Sequence, residues 1–351
     1  MTRTVSRPNP GRPDPAAPIR KAGKSETAAR IPGLAVVAAA TAAATIGHLL
    51  VPAVSPPVFA IVLGVVVGNV RPLGARYAPG LALAARPLLR IGVALLGLQL
   101  VFGDVLALGP GVIAAIVVTV AAGLGAILWL GAKLGLSPAQ RLLIACGTSI
   151  CGAAAVAAAE SVVDADENET ATAVATVVVF GTLLLGVIPA VVGLFTLNPE
   201  LGGMWAGLAI QEVAQAVAAG GIIGSGALAV AAVVKLGRVL MLAPVLAVLS
   251  VRRRRTLSAG ARPPLVPFFV IGFLACVALS STGLVPDPVL TAAGHVQTTL
   301  LGAAMFALGT GVRAGAIRAA GPRPFVLGAA GTVWIAVVGL GGALAVGGLH
   351  L

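Results

Sequence analysis

The hydrophobic positions of the chain form long, uninterrupted runs that are separated by short segments rich in proline and glycine. A run of about 20 apolar residues is long enough to cross the hydrocarbon core of a bilayer as a helix, and the alternating pattern of barrel strands is absent. The pattern therefore predicts an all-α polytopic membrane protein with about 11 transmembrane helices. Their predicted bounds are 33–51, 56–70, 86–103, 110–132, 138–163, 168–196, 203–224, 226–251, 265–282, 288–312 and 323–349.

The segment 1–32 has a different composition, because it is rich in proline, arginine, lysine and serine and has no apolar periodicity. Such a segment cannot bury enough apolar surface to offset the entropy of folding. We therefore expect a disordered, basic, cytoplasmic tail at 1–32, followed by one transmembrane domain at 33–351.

Charge is sparse and unevenly distributed along the chain. Only 10% of the residues are charged, against about 25% in a typical soluble domain, and the formal net charge is +12. If the N-terminus is cytoplasmic, every lysine and arginine except Lys235 and Arg238 falls on the inner side, as the positive-inside rule requires. The basic charge then needs no nucleic-acid partner. The same count places the C-terminus outside, together with Asp104, Asp164, Asp166, Glu167, Glu169 and Asp287.

The fifth predicted helix contains an unusual stretch of small residues from Cys146 to Ala155. Glycine weakens a helix, and in hydrocarbon every freed backbone group needs a partner. If the helix is broken here, its backbone groups face a cavity, and Thr148, Ser149, Cys151 and Gly152 become candidate substrate-binding residues. Close packing of helices also favours small residues, and the sequence leaves both interpretations open.

Glu212 lies near the middle of the seventh predicted helix, where a carboxylate costs about 2.5–3.5 kcal/mol on insertion scales. Gln211 and Gln215 would share a narrow helical arc with it, and the glycine pair 220–221 would allow a second helix break. We interpret Glu212, Gln211, Gln215 and the nearby Lys235 as candidates for binding a coupling ion. The alternative is a structural ion pair between Glu212 and a basic residue of the eighth helix.

Two further polar positions in apolar helices, Arg238 and Gln99, are candidates for a cavity lining. Arg238 shares a helix face with Lys235, and a guanidinium matches the geometry of an oxyanion. These two side chains could instead extend toward the cytoplasmic interface. Gln99 in the third helix either lines the cavity or bonds to a neighbouring helix.

One short repeat is visible in the chain. Leu96-Gly97 is followed by Gly109-Pro110, and Leu308-Gly309 is followed by Gly321-Pro322, at a constant offset of 212. The third and tenth predicted helices run in opposite directions, so the pattern suggests an inverted repeat. The fifth and seventh helices, however, come out parallel in the same count, which an inverted pair would not be.

Catalytic motifs are absent from the sequence. There is no phosphate-binding loop, zinc-protease motif or nucleophile elbow, and Ser149 has no evident histidine and aspartate partners. The three cysteines lie in apolar segments without further ligands at metal-binding spacing. We therefore expect no enzyme activity, no cofactor and no metal site.

Four stretches of the chain, 148–156, 173–182, 212–220 and 238–244, resemble those of the bacterial sulfate exporter family. The resemblance runs from about residue 33 to the C-terminus. It implies a transporter of the bacterial inner membrane, related to the superfamily of cation/proton antiporters and bile-acid symporters. In that superfamily, substrate and ions bind where two discontinuous helices cross, between a core and a panel domain. The family usually has a histidine where this chain has Gln211, which leaves Glu212 as the titratable candidate.

Together, the residues and the resemblance indicate a secondary transporter that exports sulfate or a related small anion. The expected partners are the anion, H+ or Na+ as the coupling ion, and the lipid bilayer, with a homodimer as a candidate assembly. A cation/proton antiporter that uses Glu212 alone is the first alternative. A non-transporting membrane scaffold or sensor is the second.

Overall fold

The computed structural model describes residues 22–51, 54–160, 162–256, 268–313, 315 and 321–347, and these contain helices and no strands. The prediction of an all-α membrane protein is confirmed. In the described part of the chain, seven helices are long and apolar enough to span a membrane. The helices are α1 (Ala22–Leu50), α2 (Pro56–Val70), α3 (Ala75–Gln99), α4 (Phe102–Ala107), α5 (Gly109–Lys133), α6 (Pro138–Ser149), α7 (Ala153–Glu160), α8 (Glu167–Leu194), α9 (Pro199–Ala209), α10 (Val213–Ile223), α11 (Ser225–Leu240), α12 (Leu242–Thr256), α13 (Phe268–Ser281), α14 (Asp287–Gly311) and α15 (Arg323–Gly347).

The first helix is longer than the apolar run that predicts it. It begins at Ala22 and includes Pro32, so the last part of the predicted disordered tail is helical. Residues 1–21 of that tail lie outside the described residues. Helix α1 continues into the sequence before the apolar run because Ala, Lys, Glu and Arg at 22–30 are good helix formers.

The fifth predicted helix does not cross the bundle. Ser137, just before α6, donates a hydrogen bond to Glu169 in the first turn of α8, so α6 and α8 begin at the same end. Glu160, the last residue of α7, lines the same cavity as Thr170 of α8. Helix α7 has therefore returned to the end from which α6 started. The segment 138–160 is a re-entrant hairpin, here called the first hairpin.

The seventh predicted helix is also a hairpin rather than a crossing. Helix α11 passes alongside both of its arms, because Gly203 of α9 faces Ala227 and Gly220 of α10 faces Leu228. Successive residues of α9 face successive residues of α11, so these two helices are parallel. The end of α10 packs against the beginning of α11, so these two helices are antiparallel. The segment 199–223 therefore enters the bundle and returns, and it is called the second hairpin.

The two hairpins enter from opposite ends of the bundle. Helix α8, which joins them, has 28 residues and is about 42 Å long, so it carries the chain from one end to the other. The sequence-based expectation that these two segments are parallel helices is wrong. Within the described residues, seven helices are long and apolar enough to cross a membrane, α2 and α13 are shorter apolar helices, and two of the eleven predicted crossings are hairpins.

One end of the bundle carries the arginines and is called the arginine-rich end. Arg86 forms a 2.8 Å ion pair with Glu160, and Arg253 forms one with Asp164. The acidic segment 160–169 therefore lies beside the arginines, and its predicted position on the opposite side is wrong. The error follows from the hairpin, because counting it as a crossing moves the next loop to the other side.

The two copies of the short repeat occupy equivalent positions. Gly109 and Gly321 have left-handed φ values of 82° and 73°, and each is followed by a proline at the start of a helix of 25 residues. A left-handed φ favours glycine because other residues are strained there. The two helices, α5 and α15, pack antiparallel, with contacts between Gly111 and Val346, Gly123 and Ile335, and Gly131 and Leu327.

The helices pack as two groups. Helices α1, α2, α3, α13 and α14 pack on one another and form the panel group. The two hairpins pack with α5, α8, α11 and α15 and form the hairpin group.

Candidate functional site

The tips of the two hairpins meet inside the bundle. Glu212 at the tip of the second hairpin accepts a 2.6 Å hydrogen bond through Oε1 from the backbone N–H of Ala153 in the first. Gly152 has a left-handed φ of 75°, and a Cβ atom there would overlap the Glu212 carboxylate. Glycine at this position therefore provides both the turn and the space for the contact.

Both hairpins are broken at their tips, and of the two interpretations left open for the small-residue stretch the structure shows the broken helix. The first break spans Ile150–Gly152 and lies inside the stretch of small residues that suggests it. The second break spans Ile210–Glu212, and Glu212 is the N-cap residue of α10. Helix α10 continues through Gly220 and Gly221, so the break predicted at this glycine pair is wrong. Gly220 packs tightly against Ala227 and Leu228 instead.

Two basic side chains of α11 bind the carbonyl groups exposed by these breaks. Lys235 Nζ donates to Ile150 O at 2.8 Å and to Ile210 O at 2.7 Å, one from each tip. Arg238 is also fully buried, at 0% exposure. Its guanidinium donates at 2.6–3.3 Å to the carbonyls of Thr148, Ser149, Gly207, Leu208 and Ile210.

These contacts correct two expectations for Lys235 and Arg238. The side chains do not extend toward the cytoplasmic interface, and the Arg238 guanidinium does not line a cavity where an anion could reach it. Among the described residues, neither forms an ion pair with Glu212. The C-terminal ends of α6 and α9 carry partial negative charge, and the two cations stabilise both ends at once.

Thr148 and Ser149 contribute carbonyl groups rather than side chains to this arrangement. Ser149 Oγ is 2.6 Å from the position of a Cβ atom at Gly123 of α5, and it has no hydrogen-bond partner. Thr148 is 1% exposed and contacts Gly331 of α15. The expectation that these two hydroxyl groups face the cavity is wrong, because α6 is still helical at both residues and turns them toward α5 and α15.

Gln211 and Gln215 lie behind the second tip. Gln211 donates to Thr332 Oγ1 at 2.9 Å and Gln215 to Thr182 Oγ1 at 3.0 Å. Both amide oxygens lack a partner and face Gly181 of α8. The helical arc predicted for Gln211, Glu212 and Gln215 is wrong, because the helix begins at Val213. Glu212 faces the first hairpin, whereas the two glutamines face α8.

A cavity of about 880 Å³ extends from the other end of the bundle, here called the arginine-poor end, to the hairpin tips. Cys151, Ala154, Glu212 and the first residues of α10 line its inner end. Gln99 lines the panel side and donates a 2.5 Å hydrogen bond to Gln297 Oε1. The structure therefore brings three of the candidate site residues, Gln99, Cys151 and Glu212, to one cavity.

Gln297 is a cavity residue that the sequence reasoning missed. It is an amide within α14, a helix that could span a membrane, and the same argument that selects Gln99 would select it. His48 and His295 also line the cavity, at its wider part. All four side chains can form hydrogen bonds with a polar solute.

A second cavity of about 520 Å³ lies at the arginine-rich end, between the same two helix groups. Arg86, Glu160, Thr170 and Arg313 line it. None of the described residues lines both cavities: Met305 of α14 lines the larger one, and Ala307 and Leu308 of the same helix line the smaller one. The interface between the panel and hairpin groups therefore has a separate cavity at each end.

Comparisons with known proteins identify the family. A family profile described as conserved hypothetical protein 698 matches residues 32–328. A UPF0324 membrane protein of Corynebacterium glutamicum is 50% identical over 316 residues, which cover 89% of this chain and 92% of the relative. The UPF0324 inner membrane protein YeiH of Escherichia coli (strain K12) is 37% identical over 322 residues, covering 88% and 92%.

A UPF0324 membrane protein of Bacteroides thetaiotaomicron is 36% identical over 295 residues, covering 81% of this chain and 88% of the relative. No solved structure shows a significant match. The membrane location of these relatives agrees with the apolar helices of the bundle. The chain therefore belongs to the family of UPF0324 membrane proteins that the profile describes as conserved hypothetical protein 698.

Proposed function

We propose that this protein is a secondary transporter that exports sulfate or a related small anion and couples its movement to a proton. One observation carries the proposal: a cavity open at one end of the bundle stops at two hairpin tips, where Glu212 bonds to the opposite hairpin. Discontinuous helices that meet near the middle of a membrane form the substrate and ion sites of many secondary transporters.

The charge at the tips favours an anion. Lys235 and Arg238 carry two positive charges and an ionised Glu212 carries one negative charge, so the buried cluster has a net charge of about +1. The N-termini of α7 and α10 reach the cavity wall at Ala154 and Val213. Helix N-termini carry partial positive charge and unpaired N–H groups, and both stabilise a bound anion.

Glu212 provides the coupling in this proposal. When the carboxylate is ionised, it accepts the N–H of Ala153 and occupies the tip of the first hairpin. Protonation weakens that charge-assisted hydrogen bond, frees the N–H for the substrate and adds a positive charge to the cluster. Proton and anion binding then favour each other, so the two cross together, and export by this route requires an outward anion gradient that exceeds the opposing proton gradient.

The two cavities support alternating access. They lie at opposite ends of one interface, between the panel and hairpin groups, and no described residue lines both. Movement of one group against the other would open one cavity as it closes the other. With the arginine-rich end in the cytoplasm, as the positive-inside rule requires, the N-terminus is cytoplasmic, the C-terminus is outside, and the larger cavity faces outward.

A cation/proton antiporter is the second candidate. It is favoured by the fact that Glu212 is the one carboxylate among the described residues that line the larger cavity. A cation that binds there would compete directly with a proton. This reaction would acidify or alkalinise vesicles when a cation gradient is imposed, and sulfate would have no influence on it.

The test is the flux of radiolabelled sulfate into proteoliposomes of the purified protein, with and without an imposed pH gradient. We expect flux that depends on the gradient, and loss of that dependence in Glu212→Gln. Glu200→Gln is the matched control, because Glu200 lies in the first turn of α9 at the arginine-poor end. It should transport like the wild type.

Three results would change the conclusion. Full proton-coupled flux in Glu212→Gln would exclude the coupling role of this residue. Absence of flux with sulfate, sulfite and small sulfonates would refute the proposed anion substrate. Changes of pH driven by a cation gradient would then favour the antiporter. A folded protein that moves none of these ions would favour a scaffold or sensor.

A further inference from the structure

The carbonyl groups at the two hairpin tips form a cation site. A helix end leaves its last carbonyl groups without intrahelical partners, and in hydrocarbon each must find one. Ile150 O and Ile210 O, one from each tip, lie 2.8 Å and 2.7 Å from the same point, Lys235 Nζ. In transporters with discontinuous helices, unwound carbonyl groups and half-helix C-termini of this kind coordinate a free coupling cation.

Lys235 occupies this site with its own charge. An ammonium group is compact and has three hydrogen-bond donors and no acceptor. Two carbonyl oxygens that face each other can therefore bind it as they would bind a small cation. The side chain is 0% exposed and is held on α11, a helix outside both hairpins. Among the described residues it forms no ion pair, and the carbonyl oxygens are its hydrogen-bond partners.

Arg238 lies one turn further along α11 and extends the same arrangement. Its donors bind carbonyls of both tips, among them Thr148 O at 3.0 Å and Leu208 O at 2.6 Å. The guanidinium is broad and planar, so it joins several carbonyls that no single small ion could reach. Lys235 differs from Arg238 because its ammonium group is compact and lies between two close carbonyl oxygens. The space that it fills is about the size of a small ion.

We propose that Lys235 is a tethered cation that fills the site of a free sodium ion, so that the protein functions without Na+. The proton on Glu212 is then the coupling ion, and this part of the inference rests on the proposed transport function. Occupation of the carbonyl site by the ammonium group does not rest on it. If Lys235 only held the helices together, its removal would weaken the protein equally in every salt.

Removal of the ammonium distinguishes the two roles. Lys235→Ala opens the carbonyl site, whereas Lys235→Met removes the charge but keeps most of the side-chain volume. Lys133→Ala is the matched control, because Lys133 is exposed on α5 and lies 5.9 Å from the ring of Trp129. The measurement is the midpoint of thermal unfolding in detergent, in NaCl, LiCl and choline chloride at equal ionic strength.

We expect the wild type and Lys133→Ala to unfold at the same temperature in all three salts. Both Lys235 variants should unfold at lower temperature in choline. Na+ or Li+ should raise the midpoint of Lys235→Ala by about 3 °C or more, since a ligand of the native state alone stabilises it. Lys235→Met should show no such rise, because its side chain fills the site.

Specific stabilisation of the wild type by Na+ over choline would overturn the proposal. So would a folded Lys235→Ala that responds equally to the three salts. If that variant cannot be purified, Lys235→Ser opens the same space and carries the same expectation. Failure to transport any anion would refute the proposed function, but the response of unfolding to salt would still decide the role of Lys235.

Discussion

Replacement of Gly152 by alanine tests the contact between the hairpin tips most directly. The residue has a φ of 75°, and a Cβ atom would overlap the carboxylate of Glu212. The carboxylate must then leave, and the 2.6 Å hydrogen bond from Ala153 is lost. We expect a less stable protein that has also lost proton-coupled transport.

The expected decrease in the free energy of unfolding of Gly152→Ala has two parts. A left-handed φ costs a residue with a Cβ atom about 1–2 kcal/mol. Loss of a hydrogen bond to a charged group adds about 1.5–3 kcal/mol. Gly109→Ala isolates the first part, because Gly109 has a φ of 82° and a Cβ atom added there would have no neighbour within 4 Å. The two variants should therefore differ by about 1.5–3 kcal/mol in the free energy of unfolding.

The assay is reversible unfolding by titration of mild detergent with SDS, read by circular dichroism, followed by sulfate flux on the same preparations. The expected difference corresponds to roughly 10- to 150-fold in the unfolding equilibrium constant. Gly109→Ala should retain coupled flux. Equal stability of the two variants, or coupled flux in Gly152→Ala, would show that the tips do not depend on the Glu212 contact.

Two further predictions follow from the hairpins and their surroundings. Gly181→Ala should lower the free energy of unfolding by about 1–3 kcal/mol, because its Cβ atom would overlap an amide oxygen behind the second tip; Gly186→Ala on the same helix meets no atom and should leave the SDS midpoint unchanged or higher. Asp164→Cys should react with a membrane-impermeant thiol reagent from the arginine-rich side, and Asp104→Cys from the opposite side. Labelling of both from one side would refute the re-entrant path of the first hairpin.

Apolar periodicity was sufficient to predict the membrane class and most of the helices. It could not distinguish a crossing from a hairpin at 138–160, because the two arms of a hairpin are as apolar as one long helix. Glycine and small polar residues marked the position of the first break, although the same residues were equally consistent with close helix packing. The turn direction depends on the backbone of Gly152, with its φ of 75°, and hydropathy contains no information about it.

The second break shows a different limit of prediction from the sequence. The glycine pair 220–221 suggested a break, but Gly220 is needed for close packing against α11. The actual break at Ile210–Glu212 has no glycine and is stabilised by contacts from other helices. Lys235 and Arg238 were selected from the sequence as unusual charges, yet their partners are backbone carbonyls. Carbonyl groups are the same in every residue, so no sequence pattern could identify these partners.

The position of Lys235 on α11 has a consequence for biosynthesis. Its bond to Ile150 joins residues 85 positions apart, so the first hairpin is made long before the side chain that completes it. At about 5–20 residues per second, ribosomes need roughly 4–17 s to reach Lys235 after Ile150. During that interval the carbonyls of the first tip need water, lipid headgroups or the insertion machinery as temporary partners. The order of synthesis thus makes insertion of α11 the step that completes the site.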